Sequence, residues 1–261
     1  MEWWQILLIV LGGLLLLFIL SIIFYKPFFK RFWDIVLSGL AIIVLSPLLL
    51  VLSILGAIFM RGNPFFVQKR PGKKDKNGNE RIFKLIKFRT MSNKKDANGE
   101  LLSDAQRLNK YGKFLRSTSL DELPELLNIF IGSMSIIGPR PQLVRDVVFM
   151  SEDQKHRHDI RPGLSGLAQV KGRNSITWEK KIEYDIEYIK RISLFNDIDL
   201  ILKTIVVVLK RKGTVREGTV SDMDLGDWLL QNGKITQEEY DNKKREAMRI
   251  LSDKQWKNIV F

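Results

Sequence analysis

The 261-residue sequence joins an apolar beginning to a strongly basic remainder and contains no cysteine. A chain without cysteine has no disulfide, zinc–thiolate site or thiol nucleophile. The first 60 residues contribute three basic and two acidic side chains to the net charge of +13, which leaves 39 Lys and Arg against 27 Asp and Glu in residues 61–261. That part is long enough for one compact core, and its basic excess is typical of proteins that meet anionic headgroups, phosphates or nucleotides.

Residues 3–25 form an uninterrupted apolar run without a charged side chain. At 1.5 Å per helical residue the run can cross a bilayer core of about 30 Å, so we predict a transmembrane helix within residues 1–26. The basic start and small-residue cleavage site of a signal peptide are missing. Glu2 precedes the run, and three basic residues follow it at 26–31. The positive-inside rule therefore predicts an outside N-terminus and a cytoplasmic position for residue 26.

The second apolar stretch, residues 32–60, carries Ser46-Pro47 at its centre. Proline removes a backbone donor and clashes with the preceding turn, which predicts a break or bend of the helix there. Basic residues flank both ends of the stretch, and a helix that spanned the membrane would place one of these clusters outside. The charge pattern favours a re-entrant helical hairpin that enters and leaves by the cytoplasmic face. The alternative is a proline-kinked helix that spans the membrane.

Residues 61–213 are predicted to form a cytoplasmic domain of short strands and helices. The predicted elements are strands at 65–70 and 80–91 joined by a polar hairpin loop, a helical patch at 104–115, an apolar helix at 120–131, a strand-to-loop turn at 135–141, a helix at 142–158, a glycine-rich loop at 161–174, and helices near 177–193 and 197–211. The last helix is apolar enough to lie in the membrane interface, and an ordinary core helix is an equal alternative.

Residues 214–261 form a predicted helical extension. Thr236 and Glu239 have the spacing of a capping box, which opens a helix that we expect to dock on the core or on a partner. Together the elements predict an α+β fold, in which a mostly helical, membrane-associated domain contains a re-entrant helix-break-helix, a small β-hairpin and interfacial amphipathic helices.

Asp121 and Glu122 form a carboxylate pair shortly before Pro124. Because proline is tolerated only in the first turn of a helix, the helix is expected to begin a few residues upstream. Asp121 is then either the N-cap or lies at N2 behind a Ser119 cap, and in both cases it sits at the positive end of the helix dipole. That position favours an ionised carboxylate or a phosphate. Helix capping alone would also explain the pair, so the surrounding residues are needed to distinguish a helix cap from a phosphate site.

Basic residues in several loops strengthen the case for a phosphate site. Gly138-Pro-Arg140-Pro holds an arginine between two prolines, which lowers the entropy cost of clamping a phosphate. The other loop cations are Lys87, Arg89, Arg161, Lys171 and Arg173. Such a set around paired carboxylates suits a pyrophosphate substrate with Mg²⁺, which Asp121 and Glu122 can hold. An aspartate can also attack phosphorus directly.

Several stretches between about residue 32 and residue 213 resemble a known family. They are the Ser46-Pro47 break, QKRPG at 68–72, FKLIKFRTM at 83–91, LRSTSLDELPELLNIFIGSMSIIGPRPQL at 115–143 and RPGLSGLAQVKGRN at 161–174. In these stretches the sequence resembles the bacterial sugar transferases known as monotopic phosphoglycosyl transferases, of the small PglC-like kind. The stretches occur one after another in the family order, which makes the resemblance specific.

The resemblance implies a two-step transfer at the cytoplasmic face of a bacterial inner membrane. Asp121 matches the family's nucleophile, which attacks the β-phosphate of a UDP-sugar and releases UMP. The phosphosugar then passes to polyprenyl (undecaprenyl) phosphate, giving a polyprenyl diphosphosugar for capsule, exopolysaccharide, O-antigen or glycoprotein synthesis. Glu122 matches a partner carboxylate that assists Mg²⁺ binding or proton transfer. Arg116 and Arg140 match phosphate-binding arginines, and Lys87 and Arg89 are their companions.

The sequence departs from the small family form in its transmembrane helix at 3–25 and in its extension after residue 213. The basic charge also suits a different class, a membrane-tethered nucleic-acid-binding regulator. That class needs a recognition helix or stacking platform with clustered Lys and Arg, whereas the basic residues here are spread over loops, so we expect no nucleic-acid partner. His156 and His158 point in different directions on a helix, which favours surface positions over a shared metal. The sequence is also compatible with a homo-oligomer.

Overall fold

The computed structural model describes residues 2–172, 175–210 and 223–252 of the chain. Its N-terminal part consists of helix α1 (Trp3–Ile23), a π-helical turn (Tyr25–Phe29) and helix α2 (Lys30–Met60). By length and composition both helices are able to cross a membrane. Their outer surfaces consist largely of exposed Leu, Ile, Val and Phe side chains. The two apolar helices predicted from the sequence are therefore present.

Helix α2 continues through the predicted break at Ser46-Pro47. Proline has no N–H to donate to the carbonyl of Ile43 four residues back, and the Ser46 hydroxyl donates to that oxygen instead, at 2.8 Å. Because the carbonyl freed by Pro47 is satisfied within the helix, the helical path continues. The predicted interruption is thus not seen at these residues, and the re-entrant course stays a prediction.

Both halves of α2 pack on the same globular part of the chain. Near its start, Arg31 donates to the carbonyls of Ile129 and Phe130 at 2.6 and 2.8 Å, and Asp34 accepts from the Ser135 hydroxyl at 2.7 Å. Its second half contributes apolar side chains to a cluster that contains Leu49, Leu52, Leu55, Met60, Phe88, Tyr111 and Leu115. A helix of this length measures about 46 Å, so one domain accompanies α2 over nearly all of it.

Strands β1 (Phe65–Lys74) and β2 (Glu80–Phe88) form the predicted antiparallel hairpin. The first strand is longer than predicted and the loop is correspondingly shorter. The reason is a tight turn in which the Asp75 carboxylate accepts from the amides of Asn77 and Asn79 at 2.8 and 3.1 Å. The second strand ends earlier than the predicted residue 91.

Short elements fill the middle of the chain. In order they are α3 (Asp104–Arg107), α4 (Lys110–Thr118), a 3-10 turn (Leu120–Glu122), α5 (Glu125–Ile131), β3 (Ser135–Ile137), α6 (Val144–Val147), α7 (Glu152–Lys155), a second 3-10 turn (His156–His158), β4 (Gly163–Ser165) and α8 (Leu167–Lys171). The helices predicted at 104–115 and 142–158 are therefore split. Asn109 and Ser151 accept from the amides of Gly112 and Gln154, and each cap starts a new helix inside the predicted one.

A second small sheet and two longer helices complete the domain. β3 pairs in parallel with β4, and their continuation brings two backbones together, since a Cβ on Gly163 would lie 2.1 Å from the amide nitrogen of Gly138. Helices α9 (Trp178–Lys190) and α10 (Leu194–Leu209) come next in the chain. One side of α10 is buried, and the other exposes an apolar stripe of Phe195, Ile198, Leu202, Ile205 and Leu209. An ordinary core helix would cover this stripe.

The C-terminal extension contains α11 (Leu225–Gln231) and α12 (Gln237–Ser252). Thr236 caps α12 as predicted, since its hydroxyl accepts from the amide of Glu239 at 3.2 Å. The extension docks on the core through a buried cluster of Val148, Phe149, Met150, Trp178, Leu225 and Ala247. The described residues thus form a mostly helical α+β fold with two small sheets.

Candidate active site

Asp121 and Glu122 lie in the 3-10 turn between α4 and α5 rather than inside an α-helix. Ser119 ends α4 in a left-handed conformation with φ of 56°, and its carbonyl accepts from the Glu122 amide at 3.2 Å. Neither Asp121 nor Ser119 caps α5, which starts directly after Pro124. The predicted α-helical cap is therefore wrong. Because α4 has to end before the proline, the chain turns sharply and presents both carboxylates on a turn.

The Glu122 carboxylate is held by two cations. Its Oε1 atom accepts from Lys87 Nζ and from an Arg140 guanidinium nitrogen, each at 2.8 Å. Burial raises the pKa of Glu122, but Arg140 and Lys87 outweigh burial and hold that pKa well below its ordinary value. Glu122 is consequently ionised and fixed in place at neutral pH.

The Asp121 carboxylate has a different environment from that of its neighbour. Within the described part of the chain, no donor forms a hydrogen bond with it. Burial, followed by repulsion from Glu122, raises the pKa of Asp121 to about 6, against the opposing pull of Lys87, Arg116 and Arg140. Two adjacent carboxylates with different pKa values and different freedom suit two different roles.

A third carboxylate, Glu125, belongs to the same cluster although the sequence pattern did not single it out. Its side chain is buried, with 4% exposed, and Oε1 lies 3.0 Å from Lys87 Nζ. Burial raises the pKa of Glu125 to about 7, opposed by Lys87 and assisted by Glu122. Its position three residues after Glu122 could have indicated a shared face, but its burial depends on the fold around it.

The structure brings only some of the predicted cations to the carboxylates. Lys87 and Arg140 contact Glu122, and Arg116 lies within electrostatic reach of Asp121 while its Nε donates to the Thr90 hydroxyl at 3.0 Å. Arg89 does not join them: its amide donates to a neighbouring loop carbonyl, and its side chain forms no ion pair among the residues described. Arg173 lies outside the described residues.

Two arginines that the sequence did not point to, the buried Arg157 and the half-buried Arg70, hold the loop that carries Arg140. Arg157 donates to the Arg140 carbonyl at 2.8 Å and pairs with Asp185 at 2.5 Å, and Arg70 donates to the Pro141 carbonyl at 3.1 Å. These contacts fix the backbone at the carbonyl of Arg140 and at the residue that follows it. Arg140 is therefore presented by a rigid loop, as its flanking prolines predicted.

The two histidines differ from the prediction in one respect. His156 is exposed and contacts Asp159 at 2.7 Å, whereas His158 is buried with Nδ1 at 3.3 Å from Glu80. The surface position predicted for His158 is wrong because the 3-10 turn directs it inward towards the hairpin.

Comparison with known proteins shows the family of this chain. Residues 25–211 match the model of the bacterial sugar transferase family. The chain belongs to this family. Over 185 residues it is 39% identical to an uncharacterized sugar transferase, EpsL, of Bacillus subtilis, covering 70% of this chain and 89% of the relative.

Two larger relatives have more specific names. A UDP-glucose:undecaprenyl-phosphate glucose-1-phosphate transferase of Klebsiella pneumoniae is 39% identical over 68% of this chain and 39% of its own length. An undecaprenyl-phosphate galactose phosphotransferase of Salmonella typhimurium is 34% identical over 71% of this chain and 41% of its own length. The chain thus spans about two fifths of these two relatives.

The carboxylates of this sugar transferase suit a metal that is shared with a substrate. No group of three or more metal-ligating side chains occurs among the residues that the structure describes, so a cage made by protein ligands alone is not present there. Mg²⁺ usually takes one or two carboxylates together with substrate phosphates and water. Asp121 and Glu122, with only Oε1 of Glu122 engaged by cations, fit that mode of binding.

Proposed function

We propose that this transferase moves a phosphosugar from a UDP-sugar to polyprenyl phosphate through a covalent intermediate on Asp121. The observation that carries the proposal is the contrast within the carboxylate pair. Glu122 forms ion pairs with Lys87 and Arg140, whereas the Asp121 carboxylate forms no hydrogen bond or ion pair with any of the residues that the structure describes. A carboxylate without a partner, next to cations that attract phosphate, is suited to attack phosphorus.

In the first step an Asp121 oxygen attacks the β-phosphorus of the UDP-sugar. A bond forms between that oxygen and phosphorus, the bond from phosphorus to the bridging oxygen breaks, and UMP leaves with the electron pair. Arg140 and Lys87 lie where they can neutralise the phosphate oxygens as charge moves to UMP. Mg²⁺ held by Asp121 and Glu122 would supply further charge neutralisation.

In the second step a phosphate oxygen of the polyprenyl phosphate attacks the same phosphorus. The acyl phosphate bond to Asp121 breaks, which regenerates the carboxylate and gives the polyprenyl diphosphosugar. Neither step needs a net proton transfer to Asp121, so its freedom from hydrogen bonds suits its repeated use. The polyprenyl diphosphosugar joins sugar and lipid and would serve as the starting unit of a glycan.

The transfer is tested by measuring UMP release over a panel of UDP-sugars, with undecaprenyl phosphate and Mg²⁺. We expect release with at least one sugar, and lower release after chelation of Mg²⁺. A UDP-sugar labelled at the β-phosphate should label the protein when the lipid acceptor is omitted. Turnover without a labelled protein in single-turnover experiments would contradict the covalent intermediate.

The pH dependence of UMP release should show an acid limb near pH 6. Since burial and Glu122 raise the pKa of Asp121 to about 6, the carboxylate takes up a proton as the pH falls through that value, and a protonated carboxyl is a poor nucleophile. We expect a loss of about tenfold for each pH unit below it. A rate of the first step that stays constant between pH 7 and pH 5 would contradict this assignment.

We further propose that α2 is re-entrant and that the domain lies on the cytoplasmic face of a bacterial membrane. Contacts with one domain occur at Arg31 and Asp34 near the start of α2 and at Leu52 and Met60 near its end. A straight spanning helix would separate these ends by the full bilayer. The exposed apolar stripe of α10 supports the same placement, since it suits the membrane interface.

Single cysteines provide the test, because the chain contains none. Glu2→Cys, Lys26→Cys and Lys76→Cys each replace an exposed residue. In intact spheroplasts a membrane-impermeant maleimide should label only Glu2→Cys, and the other two should react only after lysis. Labelling of Lys76→Cys from outside would show that α2 spans the membrane. Expression and full labelling in detergent are the controls.

A further inference from the structure

The C-terminal extension, which begins beyond the family match, contacts the chain close to the site. Asp146 is 1% exposed and divides its two carboxylate oxygens between two parts of the protein. One oxygen accepts from the Leu143 amide at 3.0 Å, and the other accepts from the Leu225 amide at 2.9 Å. Leu143 lies three residues after Arg140, so Asp146 links the Arg140 loop to the start of α11.

Two further contacts come from the residues immediately before Leu225. The Met223 carbonyl accepts from the indole nitrogen of Trp178 at 3.0 Å, and Asp224 pairs with Arg145 at 2.6 Å. Trp178 is the first residue of α9. Three consecutive residues of the extension thus join the segment after Arg140 to the start of another helix.

Two arginines hold the same loop at residues before Leu143. Arg157 and Arg70 hold the carbonyls of Arg140 and Pro141, while Asp146 holds the amide of Leu143. The Arg140 side chain then reaches Glu122 at 2.8 Å. A shift of the loop backbone would move the guanidinium by a similar distance, and misplacement by about 1 Å can cost 100-fold in rate.

We infer that Asp146 and residues 223–225 form a clamp that positions Arg140 for the donor phosphates. The inference rests on the proposed function, and it makes the C-terminal extension a part of the transfer site although it contributes no reacting group. Asp146 is a positioning residue, since it acts only through the loop. The clamp sets the affinity for the pyrophosphate donor and leaves acceptor binding to other parts of the protein.

Asp146→Asn is the decisive variant, because its amide nitrogen replaces one acceptor with a donor that faces a backbone N–H. We expect KM for the UDP-sugar to rise roughly tenfold with a smaller change in kcat. Trp178→Phe, which keeps an aromatic ring and removes the N–H donor, should give a weaker effect in the same direction. Asp153→Asn, at an exposed carboxylate, is the matched control and should change neither parameter.

A double-mutant cycle separates positioning from a general loss of stability. If Asp146 acts through Arg140, Asp146→Asn should change KM by less than about twofold in an Arg140→Ala background. Additive effects of the two substitutions would overturn the clamp. A lower melting temperature with an unchanged KM would show a purely structural role and would overturn it as well.

Hydrogen exchange decides the same point without substrate. The amides of Gly138, Arg140, Gln142 and Leu143 should exchange at least about tenfold faster in Asp146→Asn than in the unmodified protein and in Asp153→Asn. Unchanged exchange would overturn the clamp. If the unmodified protein released no UMP from any UDP-sugar, the proposed function would fail, while this exchange measurement would still decide whether the clamp exists.

Discussion

Replacing Asp121 with Asn should abolish UMP release, by about 1,000-fold or more, and should leave the protein folded. An amide cannot form the acyl phosphate, so labelling by the β-phosphate should vanish together with turnover. The measurements are UMP release, protein labelling and the melting temperature of the purified protein in detergent. Asn has nearly the size of Asp, so the shape of the turn is retained.

The stability of this variant distinguishes lost chemistry from lost structure. The pKa of Asp121 is raised to about 6 by burial and by Glu122, whereas an unfolded chain has an Asp pKa of about 3.9. The folded state therefore binds the proton more tightly, and ionisation of Asp121 lowers stability as the pH rises from about 4 through 6. Asn removes that cost, so at pH 7.5 its melting temperature should be equal or higher.

Asp121→Asn with full turnover would exclude the aspartyl intermediate. Loss of turnover with a lower melting temperature would point to a structural role of Asp121 instead. Asp153→Asn makes the same chemical change at an exposed position outside the site, and it should retain both activity and stability. The three outcomes assign the effect to the carboxylate itself.

The elements that the sequence predicted well are those determined by local patterns. The apolar runs of α1 and α2, the hairpin, and the helix cap at Thr236 depend on residues close together in the chain. Predicted helices failed where a single polar side chain, such as Asn109 or Ser151, starts a new helix. Caps of this kind are visible in a sequence but are not distinguishable there from ordinary polar surface positions.

The carboxylate pair shows the same division within the site. Its neighbours in the sequence led to the prediction of a phosphate site at Asp121 and Glu122. The expected α-helical cap does not form, because α4 ends at Ser119 and a 3-10 turn comes next. The difference between the two carboxylates comes from Lys87 and Arg140, which lie 35 and 18 residues away from Glu122. Such pairings arise only when the chain folds.

The buried residues that hold the site in place could not be predicted from the sequence for the same reason. Glu125 stands beside the predicted pair, yet only its burial against Lys87 makes it part of the cluster. Arg157 lies between His156 and His158, and its partner Asp185 is 28 residues away. Periodicity can indicate a buried face of a helix, but it does not indicate which charged residue is buried with a partner.

Replacing Lys87 with Met should destabilise the protein and disable the site together. Lys87 Nζ lies 2.8 Å from Glu122 and 3.0 Å from Glu125, and its side chain is 17% exposed. Burial lowers the pKa of Lys87, but the two carboxylates outweigh burial and raise it, so it is a cation in the folded protein. Removing one partner of a buried charge pair costs about 3–5 kcal/mol.

The pH dependence of Lys87→Met should reveal which carboxylate is left without a partner. Glu122 keeps Arg140, whereas the pKa of Glu125, already raised to about 7 by burial, loses the cation that opposes the rise. The folded variant therefore binds a proton at Glu125 that the unfolded chain lacks near neutral pH, so its stability should increase as the pH falls from 8 to 6. Thermal unfolding across this range is the measurement.

A second substitution identifies the source of the lost stability. Glu125→Gln in the Lys87→Met background removes the unpaired carboxylate, and we expect it to restore about half of the lost stability and to abolish the pH dependence. UMP release by the double variant should be about 100-fold lower than that of the unmodified protein, because Glu122 and the substrate phosphates still lack the Lys87 cation. Lys73→Met, at an exposed position of the hairpin, is the matched control. If Glu125→Gln restored none of the lost stability, the destabilisation by Lys87→Met would come from Glu122. Glu125 would then not interact with Lys87 in solution.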